Sequence, residues 1–96
     1  MQRCYLVCYD IRDPRRLHRV HRAMKGYGEP WQYSVFFCKL RSVDRVMMER
    51  DLMEEMNTKE DQVLIIDMGP SEKAVRDYTK VLGQSLPGEN RNFIIV

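Results

Sequence analysis

Asp10 and Asp13 stand three residues apart and are embedded in a dense run of cations, with Arg12 between them and Arg15, Arg16, Arg19, Arg22 and Lys25 behind. Carboxylates beside cations are the parts needed to hold a divalent metal ion and a phosphate backbone at one place. Magnesium is commonly bound by only one or two carboxylates, with waters and substrate phosphates completing its shell. A single Asp10 per chain is therefore enough if a two-fold axis brings in a second copy. Such a metal polarises a phosphodiester and activates water. A blander reading stands beside this one, in which Asp10 merely accepts hydrogen bonds from the loop or helix start. The chain offers no histidine–cysteine catalytic pattern, phosphate-cradling glycine loop or paired-cysteine metal spacing. His18 and His21 read as surface or packing residues of the basic segment, not as metal ligands.

The elements that must position these groups follow from periodicity. Cys4 to Ile11 is apolar and aromatic and ends at Asp10. Alternation puts Cys4, Leu6, Cys8 and Asp10 on one face of a strand, and Tyr5, Val7, Tyr9 and Ile11 on the other. Since neither face is polar before Asp10, both must be covered, one by helices and the other by something else such as a second copy. Asp13 is a good N-cap and Pro14 suits the first helical position, so a helix is predicted from there to Gly26. Leu17, Val20, Met24 and Tyr27 give it a narrow apolar stripe, and arginines fill the rest. Like charges four apart repel. The arginines are either a solvated face or a polyanion-binding one.

Tyr27-Gly28-Glu29-Pro30 reads as a turn. Trp31 to Leu40 is one strand, or two short strands with a bend near Ser34. Its aromatics read as core or subunit interface in preference to a base-stacking platform. Ser42 is the predicted cap of a second helix through about Met56, whose methionines suggest an adaptable packing surface. After a polar loop over Asn57 to Asp61, Val63 to Asp67 is a short strand. Ser71 caps a shorter helix with Ala74, Val75, Tyr78, Val81 and Leu82 as its apolar set and Gly83 as its stop. Phe93 to Val96 is a terminal apolar segment of the kind usually tied down by strand pairing. The order is that of a ferredoxin-like α+β sandwich, βαββαβ, with an extra C-terminal strand. The chain reads as a single domain over 1–96, with 84–96 an extension that pairs with the partner subunit of a homodimer.

The 96 residues allow one core, and hydrophobic and charged fractions of 44% and 31% are those of a soluble protein. No signal peptide or membrane-spanning stretch is evident, which points to the cytoplasm. Cys4, Cys8 and Cys38 read as reduced, buried thiols. The net charge of +2 hides a division, because eleven Lys/Arg face five Asp/Glu through Arg50, and five face nine thereafter.

The apolar strand ending in Tyr9-Asp10-Ile11, the Asp13-opened arginine helix ending in Gly26-Tyr27-Gly28, and Gln32-Tyr33-Ser34-Val35-Phe36 resemble the CRISPR-associated protein Two family. That family is the small subunit of the spacer-acquisition complex. Asp67-Met68-Gly69-Pro70 and the Phe93 to Val96 tail also fit, so the resemblance spans nearly the whole chain. It implies a homodimer in which two copies of Asp10 face each other and hold magnesium or another divalent cation. It also implies metal-dependent endonuclease activity on RNA or double-stranded DNA; no recognition helix or base-reading set is evident in the sequence, so little sequence specificity is expected. Asp10 would be the catalytic metal ligand, supported by Tyr9, Asp13 and Phe36, while Arg12, Arg15, Arg16, Arg19 and Ser34 would bind nucleic acid. The alternative it implies is a non-catalytic duplex-DNA scaffold that bridges the CRISPR integrase, CRISPR-associated protein One. Many members carry an acidic residue where this chain has Phe37, so no carboxylate role carries over at that position.

Overall fold

The computed structural model describes residues 1–88. The strands β1 (Gln2–Asp10), β2 (Gly28–Gln32), β3 (Val35–Arg41) and β4 (Gln62–Asp67) form one antiparallel sheet in the order β2-β3-β1-β4. The helices are α1 (Pro14–Met24), α2 (Ser42–Glu55) and α3 (Glu72–Asp77). Two interleaved βαβ units with β1 and β3 at the centre make this the ferredoxin-like α+β sandwich.

The main core lies between the sheet and α1 and α2. Tyr5, Val7 and Tyr9 of β1 and Ile11 just beyond it pack there with Phe36, Cys38 and Leu40 of β3, Val20 and Met24 of α1, and Met48 and Leu52 of α2. The alternation read from the sequence is thus realised in space. Asp13 caps α1 by accepting from the Arg16 N–H at 2.9 Å, and Pro14 fills its first position. Burial keeps Cys4 and Cys38 as inert thiols, with that of Cys38 pushed up to about 12.

Several elements differ from the sequence reading. Gly28 to Pro30 is strand, not turn. A Cβ at Gly28 would come within 2.3 Å of the Phe37 carbonyl oxygen and 2.6 Å of Cys38 Sγ, so glycine is there for close strand approach. Pro30 is tolerated because β2 is a sheet edge. The bend near Ser34 is a Tyr33–Ser34 turn between two strands, and a register shift between Pro30 and Gln32 leaves Trp31 on a bulge. Ser42 is not a cap but the first residue of α2; Arg41 holds the cap position and pairs with Asp44 instead. Of the apolar arc on α2, Val43, Val46, Met47 and Met53 stay exposed.

Ser71 does cap α3, its Oγ accepting from the Ala74 N–H at 3.0 Å, but the helix ends at Asp77. Among the described residues Tyr78 and Leu82 stay exposed, so no burial there rewards further turns. Part of the second sheet face is covered within the chain. Val75 of α3 packs on Cys4 and Phe37, flanked by Leu6 and Trp31. Above them Arg76 lies 5.5 Å from the Trp31 ring centroid and bonds Glu29 and Glu72. The expected tail strand over Phe93 to Val96 lies outside the described residues.

Candidate nucleic-acid and metal site

Three connections meet at the end of the sheet where β1 stops: the Ile11–Asp13 loop into α1, the Tyr33–Ser34 turn and the Asn57–Asp61 loop into β4. Their meeting point is held by a residue to which the sequence reading assigned no role. Asp61, with its side chain fully buried, accepts from the Arg12 N–H at 2.9 Å and the Asn57 N–H at 2.8 Å. It also takes two bonds from the Arg16 guanidinium, Nε at 2.9 Å and Nη2 at 3.1 Å. These bonds hold the Asp61 carboxyl far below the usual carboxylate range, the Arg16 contact contributing most. An aspartate just before a strand, 45 residues from its arginine, gives no local signal in the sequence.

The site residues separate into two groups. Arg16 also bonds Glu60 at 2.9 Å, and Arg19 Nε bonds Glu55 at 3.0 Å, so both charges are neutralised within the chain. By contrast, among the described residues the side chains of Arg12, Arg15, Arg22 and Lys25 are exposed and make no ion pair. Arg15, His18, Arg19 and Arg22 follow helical spacing and line one open groove along α1. The result is a cationic ridge on the outer side of the helix layer.

Asp10 is exposed at the end of β1, and among the described residues its carboxylate makes no hydrogen bond or ion pair. The bonds to the loop and helix start that the blander reading would give to Asp10 are made by Asp61 and Asp13. Asp10 shares its face with Cys8, Leu64 and Ile66, paired across β1 and β4. Leu64, Ile66 and Met68 are 48%, 42% and 40% exposed, an apolar patch beside the carboxylate. Among the described residues no three His, Cys, Asp or Glu side chains come together to ligate a metal. A free, hard oxygen donor fits part of a magnesium shell, so one chain supplies a half-site at most.

Tyr9 and Phe36 are core residues that support this end from beneath. The Tyr9 hydroxyl shares a 2.9 Å hydrogen bond with His21 Nδ1, and burial pushes its pKa up to about 12, so it stays protonated. The Tyr9 N–H donates to the Ser34 carbonyl at 3.0 Å, placing the Ser34 backbone against β1. Phe37, at the position where the resemblance expects an acid, stacks on Trp31 with ring centroids 4.7 Å apart. No described helix is long and apolar enough to cross a membrane.

Comparison with known proteins places this arrangement. Residues 3–80 match the family model described as CRISPR associated protein Cas2. A CRISPR-associated endoribonuclease Cas2 of Geobacter sulfurreducens is 38% identical over 96 residues, covering all of both chains. One from Rhodospirillum rubrum is 42% identical over 71 residues, 74% of this chain and 70% of its own. Among solved structures, a hypothetical protein from Thermus thermophilus superposes with a TM-score of 0.75 at 28% identity, over 88% of this chain and 94% of that one. Streptococcus pyogenes Cas2 superposes with a TM-score of 0.74 at 27% identity, over 83% and 99% of the two chains.

Proposed function

The chain belongs to the CRISPR-associated Cas2 family, and we propose that it is a homodimeric, divalent-metal-dependent endonuclease of CRISPR adaptation that cuts phosphodiester bonds in RNA or double-stranded DNA. The observation that carries this reading is that Asp10, a carboxylate without a partner among the described residues, lies at the end of β1, next to the opening of α1 with Arg12 and Arg15, which make no ion pair among those residues either. The relatives from Geobacter sulfurreducens and Rhodospirillum rubrum, both named endoribonucleases, support the reaction class.

In this reading the apolar patch of Leu64, Ile66 and Met68 is covered by a second copy. A two-fold axis there sets two Asp10 carboxylates opposite each other, and together they hold the cation. The cation, when bound, polarises the phosphodiester and favours a deprotonated water as nucleophile. Arg12, two residues beyond Asp10, and Arg15 in the first turn of α1 hold flanking phosphates and fix the scissile bond in register. Arg16 contributes indirectly, since its bonds to Asp61 hold the loop that joins Asp10 to α1. Phosphate contacts carry no base information, so little sequence specificity is expected.

A second reading is favoured by the position of the ridge. Its cations face away from the sheet on the α1 side, whereas Asp10 belongs to the opposite sheet face. Duplex DNA can therefore lie on the ridge without engaging Asp10, as a scaffold bridging the CRISPR integrase requires. The test is cleavage of labelled single-stranded RNA and duplex DNA, with and without magnesium, by wild type and Asp10→Ala. Magnesium-dependent cutting lost in the variant supports the enzyme. Duplex binding by both proteins with cutting by neither supports the scaffold.

A further inference from the structure

Tyr33 is the aromatic that departs from the expectation of core or interface. It sits in the turn between β2 and β3 with 76% of its surface exposed, while Phe36 and Phe37 are buried. Single exposed aromatics are ordinary. This one is held in place. Its ring stacks on His21 with centroids 6.3 Å apart and planes 22° from parallel. The His21 ring is itself fixed, edge-on to Phe36 at 5.3 Å and hydrogen-bonded to Tyr9 at 2.9 Å. The turn is pinned as well, with the Tyr9 N–H donating to the Ser34 carbonyl and the Tyr9 hydroxyl 3.5 Å from the Tyr33 carbonyl.

The surroundings identify the ligand. His21 on α1 is three residues after His18 and four before Lys25, the C-cap of that helix, and both of these are exposed. A supported ring with an open face, beside an exposed lysine that makes no ion pair among the described residues, is an arrangement that binds single-stranded nucleic acid: the cation follows the phosphates and the ring stacks a base. Duplex DNA buries its base faces in the stack and cannot use such a ring, whereas unpaired strands can. We propose that Tyr33, backed by His21, is a stacking platform for one unpaired nucleobase, giving this chain a preference for single-stranded RNA or DNA over duplex. This deepens the proposed function and rests on the ridge being its nucleic-acid surface.

The test uses the full chain in chelator, to prevent cutting. Its probes are short RNA and DNA strands, each carrying one 2-aminopurine, and the matching blunt duplex. Loss of one stacked base corresponds to about a 5- to 100-fold weaker Kd. Tyr33→Ala is expected to show that loss on both single strands, to abolish the quenching of 2-aminopurine, and to change duplex binding less than about twofold. Tyr33→Phe, which keeps the ring, is expected to bind like wild type. Tyr33→Ala binding single strands as wild type does, while Arg15→Glu/Arg22→Glu weakens them, would overturn the platform and leave the ridge standing. Equal weakening on strand and duplex would overturn it too, as a general rather than a stacking effect. If the double reversal changes nothing on any probe, the ridge reading fails and the platform falls with it.

Discussion

Replacing Arg15 and Arg22 together with alanine removes two cations that no acid in the described chain offsets. Replacing Arg16 removes one already held by Asp61 and Glu60. Counterion release distinguishes the two cases. Each phosphate neutralised on B-DNA contributes about 0.9 to the slope of log affinity against log salt. The double variant is therefore expected to flatten the slope by about 1.8 per chain, which is about 60-fold in affinity near 0.1 M salt. Arg16→Ala is expected to leave the slope unchanged within about 0.3, because its charge never faces the phosphates. Fluorescence anisotropy with a short duplex, between about 50 and about 200 mM salt, reads both numbers. A slope lowered as much by Arg16→Ala as by Arg15→Ala would refute the division into neutralised and free arginines. An unchanged slope in the double variant would reduce the ridge to a solvated helix face.

Other perturbations probe the scaffold beneath. Asp61→Asn is expected to lower the thermal midpoint by on the order of 10 °C at neutral pH, since it breaks a buried pair while Arg16 remains. The folded-state pKa of Asp61 lies below its ordinary 3.8, so its contribution is complete above that value and is lost as pH falls through and below it. In thermal melts from neutral pH downward the gap between wild type and variant should therefore begin to narrow below about pH 4 and close only well below that, and a gap that stays constant in acid would contradict the linkage. Phe37→Ala is expected to cost about 3–5 kcal/mol in urea unfolding and to expose the Arg76 region to trypsin, by removing the ring beneath α3. Urea unfolding with no more than about 1 kcal/mol lost would mean that α3 does not depend on that stack. Leu64→Asp is expected to convert a dimer to monomer by light scattering; a persistent dimer would move the interface off this face.

The parts legible in the sequence were those set by local chemistry. Alternation in β1 separates the buried Tyr9 from the free Asp10, and the Asp13-Pro14 pair marks the start of α1 to the residue. What remained hidden depends on contacts between distant segments. Gly28 has turn composition, yet it lies in a strand because the Phe37 carbonyl approaches too closely for a Cβ. Arg16 and Arg15 look identical in the sequence, and only Asp61 across the fold tells them apart. Tyr33 is one residue of an aromatic strand segment until the turn lifts it out of the core. The third helix is shorter than its helically spaced apolar set implies because Tyr78 and Leu82 stay exposed among the described residues.

The account depends most on Asp10, and one measurement addresses it directly: the single-turnover rate of cleavage of labelled single-stranded RNA in magnesium by wild type and Asp10→Asn at matched dimer content. Asparagine keeps the shape and removes the charge that holds the cation. The rate is expected to fall on the order of 100-fold or more while the Kd for the RNA stays unchanged. Equal rates would contradict it and place the cutting chemistry elsewhere on the chain.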